Sequence, residues 1–138
     1  MSLSGLHLLK VASLRQNRRG SKLDNPFHVA QTLHSLANLL SKRVDRFEEA
    51  EKAYKRSIEI GETLRNENHL AQVLRNYGVA IEERSPSQAI ALLERSRDIN
   101  QRLGNHHFVD LVERDLSEVR HRASQKRDSN HQIDRSEG

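Results

Sequence analysis

The chain contains an internal repeat, which restricts its possible folds more than any other feature of the sequence. The segment NPFHVAQTLHSLANLL, from Asn25, aligns with NENHLAQVLRNYGVAI, from Asn66, at an offset of 41 residues. The segment AEKAYKRSIEIGETLRN, from Ala50, aligns with AIALLERSRDINQRLGN, from Ala89, at an offset of 39 residues. A weaker third copy of the first segment starts at Asn105. Because one such unit cannot bury its apolar face alone, stacked copies are expected to share a core.

Each repeated unit is predicted to form two α-helices. The residues that lose little side-chain entropy in a helix dominate the chain, whereas aromatic residues make up 4% and only two prolines occur. The residue pairs that coincide between the first segments are Val29/Leu70, Ala30/Ala71, Leu33/Leu74, Leu36/Tyr77, Ala37/Gly78 and Leu40/Ile81. Their spacing is typical of one face of a helix. We therefore predict an all-α fold of about six helices.

Capping residues mark the predicted helix boundaries. The predicted starts are Asn25-Pro26, Asp45-x-x-Glu48 and Ser85-Pro86-x-Gln88. Each begins with an N-cap side chain. The first has proline at the first helical position, the second has Glu at the third position, and the last has both proline and Gln at these positions. Gly104 suits a helix end, where a positive φ is needed.

Small residues occupy matched positions at which leucine would bury more area. These pairs are Ala37/Gly78, Ala50/Ala89 and Ser57/Ser96. Two helices approach closely where side chains are small, and larger residues one turn away fill the remaining holes. We therefore predict that these positions are the points of closest approach between helices.

This pattern resembles the tetratricopeptide repeat. The matching residues are Leu33, Leu36, Ala37, Leu40, Phe47, Ala50, Tyr54 and Ser57 in the first unit, and Leu74, Tyr77, Gly78, Ile81, Ala89, Leu93 and Ser96 in the second. The period exceeds the usual 34 residues, and looks more like the long-helix variety of kinesin light chains and of the sensor arrays of large signalling ATPases. The resemblance covers roughly residues 25–116 and implies a right-handed α-solenoid of antiparallel helix pairs. An armadillo-like helical hairpin array is the alternative.

The repeat divides the chain into five predicted regions. Residues 25–65 and 66–104 are two tetratricopeptide-like repeats, and 105–122 is a capping helix or half-repeat. Residues 123–138 are a polar tail with one aliphatic side chain, Ile133, and are expected to be disordered. Residues 1–24 hold a basic helix and a loop.

The basic N-terminal region has three interpretations. Before Asp24 the chain has five basic residues and no acidic one, whereas the net charge of the whole chain is +4. The region is a half-repeat helix in which Gly5, Leu9 and Ala12 match small and large positions of the other units, a mitochondrial transit peptide, or a disordered segment. A half-repeat would leave an apolar end. That end predicts a homo-oligomer through the N-terminal helix, or a chain that is a piece of a longer array.

The tetratricopeptide resemblance also implies where a ligand binds, because in that family the first helices of successive repeats line a concave groove. The residues carried over to this groove are Gln31, His34, Asn38, Lys42, Gln72, Arg75, Asn76, Val79 and Arg114, with Ser35, Ser41, Glu82, Leu111 and Asp115 beside them. Asn38 and Asn76 can each donate to and accept from a ligand backbone. Arg75 and Arg114 can bind a carboxylate. The family's carboxylate clamp is incomplete, because Leu111 and Asp115 stand where it needs bases.

Other chemistry has little support in the sequence. Cysteine is absent, no two histidines have the His-x-x-x-His spacing of metal ligands, and the histidines are expected at surfaces or caps. No phosphate loop or nucleophile elbow occurs. The N-terminal basic cluster has no interleaved aromatic residue, which argues against a nucleic-acid partner. No apolar run approaches the ~20 residues of a membrane span.

We therefore expect a non-enzymatic, cytoplasmic scaffold without a cofactor or metal that binds a peptide or partner helix of unknown identity. The alternatives are a structural self-assembly element, or a fragment of a larger signalling protein that contains tetratricopeptide repeats.

Overall fold

The computed structural model describes residues 25–137, and the side chains of residues 25–132. This part of the chain is all-α, as predicted, with no β-strand. Its helices are α1 (Pro26–Leu40), α2 (Phe47–Thr63), α3 (Glu67–Ile81), α4 (Pro86–Arg102) and α5 (His106–Glu137), and a 3-10 helix (Val44–Arg46) precedes α2. These are five of the six helices expected. The remaining one, within residues 1–24, lies outside the described residues.

Asparagine side chains begin α1 and α3. Asn25 Oδ1 accepts the Phe27 backbone N–H at 2.8 Å, and Pro26 is the first helical residue, as predicted. Asn66 Oδ1 accepts the His69 backbone N–H at 3.1 Å. These bonds satisfy N–H groups that have no carbonyl partner within the helix.

The predicted cap at Asp45 is wrong. The 3-10 helix takes up Asp45, so α2 begins at Phe47 and no side chain caps it. The Asp45 carboxylate instead lies 3.5 Å from the Arg43 guanidinium on the surface. Ser85 precedes Pro86 at the start of α4, as predicted, but its side chain makes no capping bond.

The two repeated units end their second helices with the same turn. Arg65 has φ 54° and Gly104 has φ 73°, the left-handed conformation that closes a helix. The Asn66 N–H reaches back to the Gly61 carbonyl at 3.0 Å, and the Asn105 N–H reaches the Asn100 carbonyl at 2.9 Å. The positive φ predicted for Gly104 is confirmed, and unit one makes the same turn with arginine.

The small residues lie at the helix contacts. Ala37, Ala50 and Ala89 are fully buried. A Cβ added to Gly78 would lie 3.0 Å from Leu93 Cγ and 3.2 Å from the Ala89 carbonyl oxygen. A methyl group there would have to displace these neighbours by a few tenths of an ångström, so glycine at position 78 suits the predicted close approach of α3 and α4.

The matched serines bind the backbone of the preceding helix. Ser57 on α2 donates to the Ala30 carbonyl on α1 at 2.7 Å, and Ser96 on α4 donates to the Ala71 carbonyl on α3 at 2.7 Å. Both serines are fully buried. The hydroxyl proton therefore gains a partner in the core, which satisfies a group that would otherwise be costly to bury.

Each helix packs on its neighbours in sequence, and α1 also contacts α3. The two units meet through Tyr54 on α2 and Tyr77 on α3, whose rings stack with centroids 5.0 Å apart. Tyr54 donates its hydroxyl to Asn38 at 2.7 Å and Tyr77 to Glu51 at 2.6 Å. Aromatic area therefore fills the contact between units, while the hydroxyl groups keep polar partners.

Helix α5 extends beyond its predicted end near Arg122 and includes the residues expected to form a disordered tail. Val112, Leu116 and Val119 are buried and close the core. From residue 120 to 132 the side chains are exposed, apart from half-buried Ala123. No glycine or proline interrupts residues 106–137, so the backbone continues as a helix after its core contacts stop.

Candidate binding surface

The residues carried over to the groove lie on the first helix of each unit and on α5. Gln31, His34 and Asn38 are on α1, Lys42 follows α1, Gln72, Arg75, Asn76 and Val79 are on α3, and Arg114 is on α5. Gln31, Lys42, Gln72, Val79 and Arg114 are exposed, whereas His34, Asn38, Arg75 and Asn76 are half-buried. The half-buried members are those that make contacts across the helices.

Two polar contacts join the three helices. Asn76 Nδ2 on α3 lies 2.7 Å from His34 Nε2 on α1. Arg75 Nε on α3 donates to Asp115 Oδ2 on α5 at 2.6 Å. We call the set His34, Asn76, Arg75 and Asp115 the polar row. It brings together four sequence-selected residues that are up to 81 positions apart in the chain.

The two groove asparagines are partly used inside the protein. Asn38 Oδ1 accepts the Tyr54 hydroxyl, and Asn76 donates to the ring of His34. Within residues 25–132, the Asn38 nitrogen and the Asn76 oxygen have no other partner. Each amide therefore offers a ligand one function, a donor at Asn38 and an acceptor at Asn76.

The two groove arginines differ in their partners. Arg75 is held by Asp115, whose side chain is 16% exposed. Arg114 is exposed and has no ion-pair or hydrogen-bond partner within the described residues. Because Asp115 already compensates Arg75, only Arg114 has the character of an uncompensated surface cation.

A buried histidine lies beneath the polar row, against the expectation of surface or cap positions. His69 is 5% exposed, and its Nε2 lies 3.0 Å from Ser57 Oγ. The hydroxyl proton of Ser57 goes to the Ala30 carbonyl, so the ring N–H of His69 is the donor. The rings of His34 and His69 approach edge to face, with centroids 5.9 Å apart.

The setting of both histidines disfavours their charged forms. Burial, with the neighbouring His69, lowers the pKa of His34 to about 4. Burial also lowers the pKa of His69, against the opposing effect of a hydrogen bond to the Ser57 backbone. A neutral His34 accepts from Asn76 at Nε2, because an amide nitrogen can only donate. Near neutral pH the polar row therefore carries one ion pair and a neutral imidazole.

A pocket of about 220 Å³ opens beside the polar row, where α3 faces the end of α4 and the start of α5. It is lined by Asn68, Ala71, Gln72, Arg75, Asn76, Asn100, Asn105 and Phe108. Gln72, Arg75 and Asn76 are among the residues predicted for the groove, whereas Asn68, Asn100, Asn105 and Phe108 are not. Their signal in the sequence is the repeat itself, since Asn105 and Phe108 align with Asn66 and His69.

Other kinds of site are not found in the described region. Within residues 25–132, no group of three histidine, aspartate or glutamate side chains is arranged to hold a metal ion. None of the helices in the described part of the chain combines the length and the apolar character that a membrane span requires. Comparison with protein-family models, curated proteins and solved structures gives no match for this chain.

Proposed function

We propose that this chain is a non-enzymatic, tetratricopeptide-like module that binds an extended peptide or a partner helix along the polar row. In this proposal the helix pairs form a right-handed solenoid, and α1, α3 and α5 line its concave side. The single observation that carries the proposal is the continuity of polar contacts from α1 to α3 to α5. These contacts fix the side chains beside a surface of exposed ligand-binding groups.

The repeat geometry supports the family assignment. Both units have the buried serine-to-carbonyl bond and the same left-handed turn at the end of the second helix. Packing that recurs with the sequence period is what a stack of repeats requires, because each unit completes the core of its neighbour.

The exposed members of the surface suit backbone recognition. Gln31 and Gln72 occupy matched positions on α1 and α3, and each can donate and accept at once. Val79, which is 45% exposed, adds apolar area on α3. A peptide that crosses α1 and α3 would contact a glutamine carboxamide at the same position of each helix.

A selection experiment tests the proposal. A displayed library of random peptides is selected on the protein, and affinities are measured by calorimetry with the double variant Gln31→Ala/Gln72→Ala. We expect each lost amide bond to weaken binding by about 0.5–1.5 kcal/mol. The matched control is Lys55→Ala/Gln101→Ala, which removes two exposed side chains from α2 and α4. Failure to select any peptide, or equal affinity for both double variants, would contradict the proposal.

The alternative, self-assembly through the repeat end, is favoured by one observation on α1. Leu39 is 65% exposed and Leu36 is half-buried. Their counterparts on α3, Ala80 and Tyr77, are half-buried and buried. Sedimentation of the full chain and of Leu39→Lys separates the two functions. A dimer that Leu39→Lys dissociates supports assembly, and a monomer in both cases rejects it.

A further inference from the structure

The pocket beside the polar row has a counterpart where α1 faces the end of α2 and the start of α3, and aromatic rings fill it. The repeat offsets relate Asn68 to Phe27, Arg75 to His34 and Phe108 to His69. There, Phe27 and His34 on α1 both pack against His69 on α3, with ring centroids 5.7 and 5.9 Å from it. At the corresponding contact of α3 with α5, two of these rings are replaced by asparagine and arginine, and the third, Phe108, is 40% exposed.

The buried end of the pocket also has a polar side chain where the first repeat has none. Asn100 occupies the position of Gly61, where a Cβ would lie 3.2 Å from the His69 ring. A side chain at position 61 would therefore press against the ring that fills this space. Unit two has a carboxamide there and leaves a space of about 220 Å³.

Asn100 supplies an unused hydrogen-bond donor to this pocket. It is 5% exposed, and its Oδ1 accepts from Asn105 Nδ2 at 3.3 Å. Its own Nδ2 has no partner among the described residues. A buried amide nitrogen without a partner costs free energy that a ligand acceptor would recover.

The pocket offers acceptors as well as donors. Asn105 Nδ2 is used by Asn68 and Asn100, which leaves Asn105 Oδ1 without a partner within the described part of the chain. Asn76 Oδ1 likewise has no hydrogen-bond partner among the described residues. A ligand group that both donates and accepts would satisfy this set, and a primary carboxamide has two donors and one acceptor oxygen.

We propose that this pocket binds the side-chain carboxamide of a glutamine or asparagine residue in the bound peptide. This inference rests on the proposed function and names the anchor residue of the ligand. The carboxamide nitrogen donates to Asn76 or Asn105, and its oxygen accepts from Asn100. The exposed face of Phe108 packs against the methylene groups of the anchor.

The surrounding charges and polarity select against other side chains. A carboxylate would have no proton to give the open acceptors, and Asp115, 2.6 Å from Arg75, already compensates the charge of that guanidinium. An ammonium group would face the Arg75 guanidinium and leave the Asn100 donor unsatisfied. An apolar side chain would leave every open amide group without a partner, which is costly.

The test uses capped amino acids as probes and nuclear magnetic resonance of the full chain. N-acetyl-glutamine N-methylamide is titrated while the side-chain amide signals of Asn100 and Asn105 are followed. The glutamate and methionine analogues serve as probes of matched length. We expect the glutamine probe to bind about tenfold more tightly than either, as the loss of one or two hydrogen bonds implies.

A filled-pocket variant supplies the protein control. Asn68→Phe restores the ring that unit one carries at this position, and it is expected to abolish the shifts caused by the glutamine probe. Gln101→Ala, an exposed change on α4 outside the pocket lining, is expected to leave them unchanged. Circular dichroism and the unfolding midpoint establish that both variants fold.

The outcomes separate this inference from the proposed function. Equal shifts with the glutamate or methionine probe, no shifts with any probe, or full binding by folded Asn68→Phe would each overturn the carboxamide pocket. Selected peptides that lack glutamine and asparagine and bind Asn68→Phe normally would also overturn it, while the peptide-binding function stands. If no peptide is selected but the glutamine probe binds as described, the pocket stands and the proposed function fails.

Discussion

Arg65 and Gly104 occupy the same position in the turns that end α2 and α4, with φ 54° and 73°. The left-handed conformation costs about 1–2 kcal/mol for a residue with a Cβ and nothing for glycine. The side chain of Arg65 is exposed and makes no hydrogen bond or ion pair with other described residues, so no contact there offsets the strain.

We therefore predict that Arg65→Gly raises the free energy of unfolding by about 0.5–1 kcal/mol. The removed strain exceeds the roughly 0.4–1 kcal/mol by which glycine stabilises the unfolded chain. Gly104→Ala should lower the free energy of unfolding for the converse reason. Urea denaturation of both variants measures the effect, and a destabilised Arg65→Gly would refute it.

The two buried serines should differ in their contribution to stability. Ser96→Ala loses one bond to the Ala71 carbonyl, at about 0.5–1.5 kcal/mol. Ser57→Ala loses the equivalent bond and also leaves the His69 ring N–H buried without its acceptor, at a further ~1–3 kcal/mol. Denaturant unfolding of both variants checks the order, and equal losses would mean that His69 finds another acceptor.

Among the elements, α5 combines a packed part with an exposed part. Leu116 is fully buried, whereas side chains from residue 124 to 132 are exposed. Stability should therefore depend on the first part alone, while helix content depends on both.

We predict that removing residues 124–138 lowers the helical circular dichroism signal but changes the free energy of unfolding by less than about 0.5 kcal/mol. Leu116→Ala, which opens a cavity in the core, should cost about 2–5 kcal/mol. Urea denaturation followed by circular dichroism gives both quantities. A large loss of stability on truncation would show that the exposed part of α5 has a stabilising contact.

For the whole molecule, the buried histidines make stability depend on pH. The pKa of His34 falls from an ordinary 6.5 to about 4 on folding, and that of His69 also falls. The unfolded chain therefore binds more protons than the folded protein between these values, and stability rises with pH across this range. The free energy of unfolding that depends on the neutral His34 is therefore fully present above pH 6.5, and it is lost as the pH falls towards about 4.

The measurement is the urea midpoint between pH 7.5 and pH 4.5, for the protein and for His34→Gln. We expect the midpoint of the protein to fall with pH, and that of His34→Gln to fall less, because glutamine does not titrate. His121→Gln, at an exposed position on α5, is the matched control. Parallel curves for the protein and His34→Gln would exclude His34 as the titrating group.

The sequence alone determined the all-α class, the helices at each repeat, the left-handed turn at Gly104 and the small contact residues. These features depend on local propensity and on spacing that two copies of one unit display side by side. It misplaced the start of α2 and the end of α5, because a 3-10 turn took up Asp45 and no residue forces the last helix to stop.

Only the tertiary structure decided how the polar residues are paired. The sequence alone assigns no partner to Asn38, Asn76 or Arg75. In the structure, Tyr54, His34 and Asp115 respectively use part of their hydrogen-bonding capacity. The pocket also needed the structure, since its lining comes from three helices. Whether matched positions of a repeat enclose rings or an open space depends on the side chains that neighbouring helices bring together, which no single segment specifies.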